Sequence, residues 1–309
     1  MAARVVVVGS INLDLVVTTE ALPERGQTIL GSGIRRFGGG KGANQALAAR
    51  RMGASVAMVG MVGRDEAGES LVGELAHAGI DVDHIGRCED SPTGTAIITV
   101  EASGTNTIVV VAGANGQLTA DELESASEAI VGADALLLQL EVPMATVVRA
   151  AQLARAAGVA VFLNPSPVQR LPDELLDGLD YLVLNEGEVD ILTEGGTPFS
   201  LLDRGVRTVV MTLGERGARV ISRDRSREVP AFSVDAIDTT AAGDAFLGAF
   251  AATLAERGSD AALTAASGAG ALAASRMGAQ PSLPTRDDVD TFVAATQPVP
   301  VLPVDDNSG

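Results

Sequence analysis

The chain has 309 residues, enough for one large α/β domain or two medium ones, and with 46% apolar and 20% charged residues it is globular in composition, not disordered. A formal charge of −18 opposes a nucleic-acid groove or an anionic membrane surface, since both require a basic face. The single cysteine, Cys88, excludes an internal disulfide framework and a cysteine-rich zinc site.

In chain order, the apolar run in "MAARVVVVGS" is too short for a signal peptide, and no window of 18 apolar residues follows, so a soluble cytoplasmic protein is expected. Val5–Ser10 reads as a buried strand, and "INLDLVV" continues extended toward a loop bounded by Pro23 and Gly26. After a glycine cluster, "KGANQALAARRMGA" has Ala43, Ala46, Leu47 and Arg50 at helical spacing, with Gly53 closing the helix. "SVAMVGMVG" is the next buried strand, and "EAGESLVGELAHAGI" is an amphipathic helix carrying Leu71, Leu75 and Ala78 on one face. The rhythm then changes: "TGTAIITVEASGTNTIVVVAGAN" is two β-rich runs around the turn "ASGTN", a hairpin.

From residue 119 onward helices and strands alternate through "DELESASEAI", "DALLLQLE", "MATVVRAAQLARAAG", "VAVFLNPSP", "YLVLNE" and "VRTVVMTLG". That alternation predicts a doubly wound α/β fold, a mostly parallel sheet with helices on both faces. A Gly/Ala-rich helix is expected over Asp244–Met277, and the Pro-rich residues 297–309 form a loosely held tail. Without repeats or an interdomain linker, residues 1–309 read as one domain with a small β excursion.

Several polar clusters directly follow strands: "GSINLD", "QLE", "NPSP", "NEGE" and "TLGERG". Ligands of open α/β sheets bind beyond the carboxyl ends of the strands, so these clusters predict one crevice. The familiar nucleotide loops are absent. "GGGKGAN" is not a Walker loop, because Gly42 follows Lys41, and "VVVVGSINLD" lacks the later glycines of a dinucleotide fingerprint. The two histidines, His77 and His84, read as surface residues, leaving no materials for a histidine triad or zinc cluster. Among 22 basic residues Lys41 is the sole lysine, which points to a role for a compact ammonium that arginine cannot mimic.

The stretch "DTTAAGDAFLGAF" joins small residues to a helix start, where free N–H groups and the helix dipole favour phosphate oxygens. Gly243 keeps that approach clear of a Cβ, and Asp244 beside it can accept a proton from an attacking hydroxyl.

Taken in order, "GSINLD", "GGGKGANQALAARRMGA", "GAN", "LQLE", "LNPSP", "NEGE", "TLGERG", "DTTAAGDAFLGAF" and "GAQPSLP" resemble the PfkB carbohydrate kinase family over about residues 5–295. "GSINLD", "LQLE" and "GAQPS" lean toward its ribokinase branch. The resemblance implies a ribokinase-like fold with a β-sheet lid at about residues 12–38 and 93–112, and ATP-dependent phosphorylation of D-ribose at the 5-hydroxyl. Deoxyribose, fructose or adenosine are alternative acceptors, and a non-catalytic sugar sensor is the remaining alternative.

By the same resemblance Asp244 is the general base, and the amides of Ala241, Ala242 and Gly243 form an anion hole. Asn12, Asp14, Gly40, Lys41, Asn44 and Glu141 bind the sugar. Asn185 and Glu188 organise Mg2+ and phosphates; Thr212, Gly214 and Gly217 lie near ATP. A monovalent cation, K+, is implied beside the anion hole, with Asp238, Ser282 and carbonyls of Thr240, Ala273, Arg276 and Gly278 as ligands. A homodimer paired through the lid is implied as well. At the hairpin turn "SGTN" lacks the acidic residue such kinases often carry before the Asn.

Overall fold

The computed structural model of the chain describes residues 2–103 and 105–299; Gly104 of the expected hairpin turn and residues 300–309 of the expected tail lie outside them. All four valines of β1 (Arg4–Val8) are buried, and their alternation feeds two cores. Val5 and Val7 join one apolar cluster, Val6 and Val8 the other, as a strand covered on both faces requires.

Beyond β1 come β2 (Asn12–Thr19), β3 (Gly33–Gly39), helix α1 (Lys41–Arg51), β4 (Ser55–Gly63), α2 (Glu66–His77), β5 (Ile85–Cys88), β6 (Gly94–Glu101) and β7 (Asn106–Val111). Two short helices follow, α3 (Ala120–Glu124) and α4 (Ser127–Val131), then β8 (Ala135–Leu138), α5 (Met144–Ala156), β9 (Ala160–Leu163) and α6 (Asp173–Leu176). The sheet is completed through β10 (Tyr181–Asn185), α7 (Glu186–Leu192), α8 (Phe199–Asp203), β11 (Thr208–Thr212), β12 (Ala218–Ile221) and β13 (Ser226–Val229). The long α9 (Ala242–Ala274), α10 (Ala279–Ser282) and α11 (Arg286–Ala295) come last.

Nine strands form the main sheet in the order β13-β12-β11-β10-β9-β8-β1-β4-β5, parallel except where β12 and β13 turn back at one edge. Residues of α1, α2 and α9 cover one face and those of α5, α6 and α8 the other. A second sheet of order β3-β2-β6-β7 rises from the carboxyl end of β1, with Asp14 opposite Ala96 in the parallel β2–β6 pair. This is the doubly wound architecture with a small β-sheet. No helix among the described residues is long and apolar enough to cross a membrane.

Three local features differ from the sequence expectations. The Asp244–Met277 helix begins two residues earlier and is broken at Gly258 (φ 73°, ψ 168°), a backbone region that side chains other than glycine's avoid. "DELESASEAI" splits into α3 and α4 at Ala126, whose ψ of 4° departs from the helix. The antiparallel β12–β13 edge and the short β5 carry too little hydrophobic periodicity to stand out in the sequence.

The contact that positions the site is between α1 and α9. A Cβ on Gly248 would lie 2.5 Å from the Ala48 Cβ, 2.8 Å from the Ala49 nitrogen and 2.9 Å from the Gln45 oxygen, so the two helices touch through bare backbone. Gly248→Ala must push them apart. It should cost about 1–3 kcal/mol of stability in urea unfolding, the usual penalty of overpacking.

Candidate active site

The chain turns sharply after β3. Gly40 has φ 86°, and a Cβ there would meet the Asn12 nitrogen at 2.8 Å, so this residue must be glycine for two backbones to approach. α1 then begins at Lys41, and Lys41, Asn44 and Gln45 fall on one helix face by their spacing. Opposite them is the first turn of α9, with Ala241 left-handed (φ 60°) as its N-cap and Asp244 within the turn.

Asp244 is only 6% exposed, and each of its oxygens has a donor. The Asn44 side-chain amide donates to Oδ2 at 3.0 Å and that of Gln45 to Oδ1 at 2.9 Å. Burial pushes the Asp244 carboxyl above its ordinary range, while Lys41 and the hydrogen bonds from Gln45 and Asn44 draw it back and Glu141 pushes it further up.

Glu141 reaches the same place from the loop after β8. Its Oε2 accepts from the Ser10 hydroxyl and, at 3.0 Å, from the Lys41 backbone N–H. Ser10 Oγ in turn accepts from the Gly42 N–H at 3.3 Å. Buried Asn12 is fixed from behind, its Oδ1 accepting from Asn115 at 2.7 Å. Asp14 lies over Gly39, where a Cβ would come within 2.2 Å of its carboxylate. Burial above all, then the charges of Glu141 and Asp244, raise the Asp14 carboxyl from 3.8 to about 7. The expected sugar residues Asn12, Asp14, Gly40, Lys41, Asn44 and Glu141 therefore surround one polar cluster beside Asp244.

On the other side of the α9 N-terminus is a cavity of about 580 Å³. Thr212, Gly214, Gly217, Ala242 and Gly243 line it, with Phe232 and Phe246 among its apolar walls. A Cβ at Gly243 would meet nothing within 4 Å, so the helix end is open to a ligand. Of the three expected anion-hole amides, that of Ala242 already donates to the Thr239 carbonyl at 3.2 Å.

Asn185 and Glu188 are not among the residues lining that cavity. They form a reciprocal cap on α7: the Asn185 N–H donates to the Glu188 carboxylate and the Glu188 N–H to the Asn185 side-chain oxygen, both at 2.9 Å. Among the described residues no cluster of three or more His, Cys, Asp or Glu side chains is placed to hold a metal ion.

The loop before α9 and the α9–α10 connection meet at Asp238, whose oxygens accept from the Thr240 and Gly278 N–H groups, each at 2.9 Å. Burial opposes ionisation of Asp238, but the bonds from Thr240 and Gly278 outweigh it and hold the carboxyl below its ordinary value. Nearby, the Ala273 carbonyl accepts from the Arg276 N–H at 3.1 Å, and the buried Ser282 hydroxyl donates to the Ala279 carbonyl at 2.7 Å. The Asp238 carboxylate, the Ala273 carbonyl and the Ser282 hydroxyl are oxygen groups, the ligand type a hard monovalent cation takes.

The pfkB family carbohydrate kinase model matches residues 2–286. The chain belongs to this family of carbohydrate kinases. It is 40% identical over 305 residues to the ribokinase of Haemophilus influenzae, with 95% of this chain and 99% of the relative covered. It is 33% identical over 306 residues to a deoxyribokinase of Salmonella typhimurium, with 95% and 99% covered. Among solved structures, Arabidopsis thaliana ribokinase complexed with ribose and ATP superposes with a TM-score of 0.85 at 32% identity, covering 95% of this chain and 99% of that one.

The cluster also contains residues to which the motifs assigned no role: Ser10, which links Glu141 to the α1 start, Asn115 behind Asn12, and Gln45 on Asp244. The i, i+4 relation of Lys41 and Gln45 was the available signal for Gln45. Asp14 generates a prediction about stability. Its raised carboxyl takes up a proton on folding between about pH 4 and 7, so it lowers stability as pH rises through that window. Asp14→Asn removes this dependence. Its melting temperature should exceed that of the parent at pH 8, by an effect on the order of a few kcal/mol, and converge on it at pH 4, read by thermal unfolding across pH.

Proposed function

We propose that the chain transfers the terminal phosphoryl group of ATP to the 5-hydroxyl of D-ribose, giving ribose 5-phosphate and ADP. The observation that carries this reading is the placement of Asp244. It directly follows Ala242 and Gly243, which line the cavity, while its carboxylate lies beside the polar cluster of Asn12, Asp14, Asn44 and Glu141.

Such a cluster suits a sugar. Carboxylates accept from hydroxyls, Asn12 and Asn44 donate and accept, and Lys41 only donates. Asp244 takes the proton from the 5-hydroxyl as that oxygen attacks phosphorus and the bond to ADP breaks. Burial strengthens Asp244 as a base, and the Asn44 and Gln45 amides hold it in one orientation. The small residues at the α9 start let phosphate oxygens approach the helix end, with Gly243 supplying a free approach and Ala242 sharing its N–H with Thr239.

Mg2+, when bound with ATP, neutralises phosphate charge; Asn185 and Glu188 would reach it largely through water once their mutual cap is shared. K+ would be held by the Asp238 carboxylate, Ser282 and the carbonyls of Thr240, Ala273, Arg276 and Gly278. The sequence similarity to a deoxyribokinase keeps 2-deoxyribose as the competing substrate. A site of buried polar groups penalises an acceptor that lacks one hydroxyl.

Turnover of ribose, 2-deoxyribose, fructose and adenosine should therefore rank ribose first in kcat/KM, and preference for another acceptor overturns the substrate assignment. Asp244→Asn should lower kcat by about 10²–10⁴-fold with ribose binding retained, measured by coupled ADP release and calorimetry.

The reading includes a second copy of the chain. Ile97 and Val109 are paired across β6–β7 on the pleat face opposite Asp14, and they are 43% and 61% exposed. The outer strands β3 and β7 leave open sheet edges beside them. The chain is expected to sediment as a homodimer joined through this sheet. Val109→Asp should shift it toward monomer, and a wild-type monomer at micromolar concentration would sink the assignment.

A further inference from the structure

Behind Asp244 a second amide stands on the first. The Gln139 side-chain amide donates to the Gln45 Oε1 at 2.6 Å, and Gln45 donates to Asp244 Oδ1 at 2.9 Å. Both glutamines are fully buried. The remaining oxygen of Gln139 has no hydrogen-bond partner. It lies against Gly9, where a Cβ would be 2.0 Å away.

The direction of this chain of amides is fixed by its end. A carboxylate only accepts, so Gln45 must present its nitrogen to Asp244 and its oxygen to the rear. Gln139 must then present its nitrogen to Gln45, which leaves its own oxygen buried without a donor. An unpaired buried acceptor costs stability, of the order of a hydrogen bond. A leucine of similar size would remove that oxygen but leave the buried Gln45 Oε1 without its donor. The amide at residue 139 therefore serves Gln45, and through it the orientation of Asp244.

We propose that Gln139 is a positioning residue for phosphoryl transfer: acting through Gln45, it locks the Asp244 carboxylate in the orientation that receives the proton of the attacking hydroxyl. Gln139 touches neither substrate nor nucleotide in this account. It removes the rotational choice of Gln45, which would otherwise be free to swing its amide away. The inference rests on Asp244 being the base.

The other charged groups around Asp244 are Lys41 at the start of α1, Glu141 after β8 and Asp14 on β2. Substitution at 139 removes none of these charges, so a shifted acid limb of the pH–rate profile with an unchanged KM for ribose reports the amide chain. Losing the donor from Gln45 leaves the carboxylate less stabilised and moves that limb to higher pH.

The test compares Gln139→Leu, Gln45→Leu and the double variant with Asp244→Asn, assaying ATP-dependent ribose phosphorylation. Q139L is expected to lower kcat by about 10–100-fold, to leave KM for ribose within about twofold, and to shift the acid limb upward. Adding Q139L to Q45L should have little further effect, because both act on one bond. Gln139→Met supplies the same test if Q139L does not fold. A folded Q139L or Q139M with the parent's kcat and pH profile overturns the proposal, even if its melting temperature changes. So does full additivity of the two substitutions. If D244N itself turns over like the parent, the base assignment fails instead, and the two failures are told apart.

Discussion

The structure depends on how closely α1 can approach α9. Gly248 permits backbone contact, and that contact aligns two helix starts that come from sequence positions about two hundred residues apart. Lys41, Asn44 and Gln45 are thereby set against Asp244 without any of them being on a mobile loop. A carboxylate taken out of water is expensive unless donors replace the lost hydration. Here two side-chain amides and the Lys41 charge do so in part, and the remainder of the cost appears as a raised proton affinity. Destabilisation of the ionised acid and competence as a base are the same physical fact.

A second consequence of the α9 N-terminus is a division of labour. One side of its first turn opens to a cavity that Gly214, Gly243, Phe232 and Phe246 help to wall; the other side faces the polar groups around Asp244. The four-stranded sheet rises next to the polar side, and β2 brings Asn12 and Asp14 there, with Asn12 paired to Gly39 of β3. Under the proposed function, the residues for a polyol and the residues for a nucleotide thus need no common chemistry. They need only a common boundary.

Much of this arrangement was legible in the sequence. The buried valines of β1 and the alternation after residue 119 specified a parallel sheet, because period and length are local properties. The glycine-lysine run and the small residues before Asp244 marked the two helix starts for the same reason. Less legible were the β12–β13 edge and the break at Gly258, where a single glycine inside an apolar helical pattern gives no distinctive signal. Asn185 and Glu188 show a different limit. Their spacing is that of a capping box, and their polar atoms are spent on each other in the structure. Gln139 was visible only as a polar residue after an apolar run; its partner is 94 positions away, beyond any local pattern.

Lys41 is half-buried at the start of α1 and is the chain's one lysine, the remaining basic side chains being arginine. Acylating reagents that seek side-chain amines therefore find no target on the exterior and a single one inside the crevice. Fluorescent tagging or immobilisation through lysine, harmless on most globular proteins, would here modify the candidate site beside Asp244; under the proposed function a saturating sugar would protect against it.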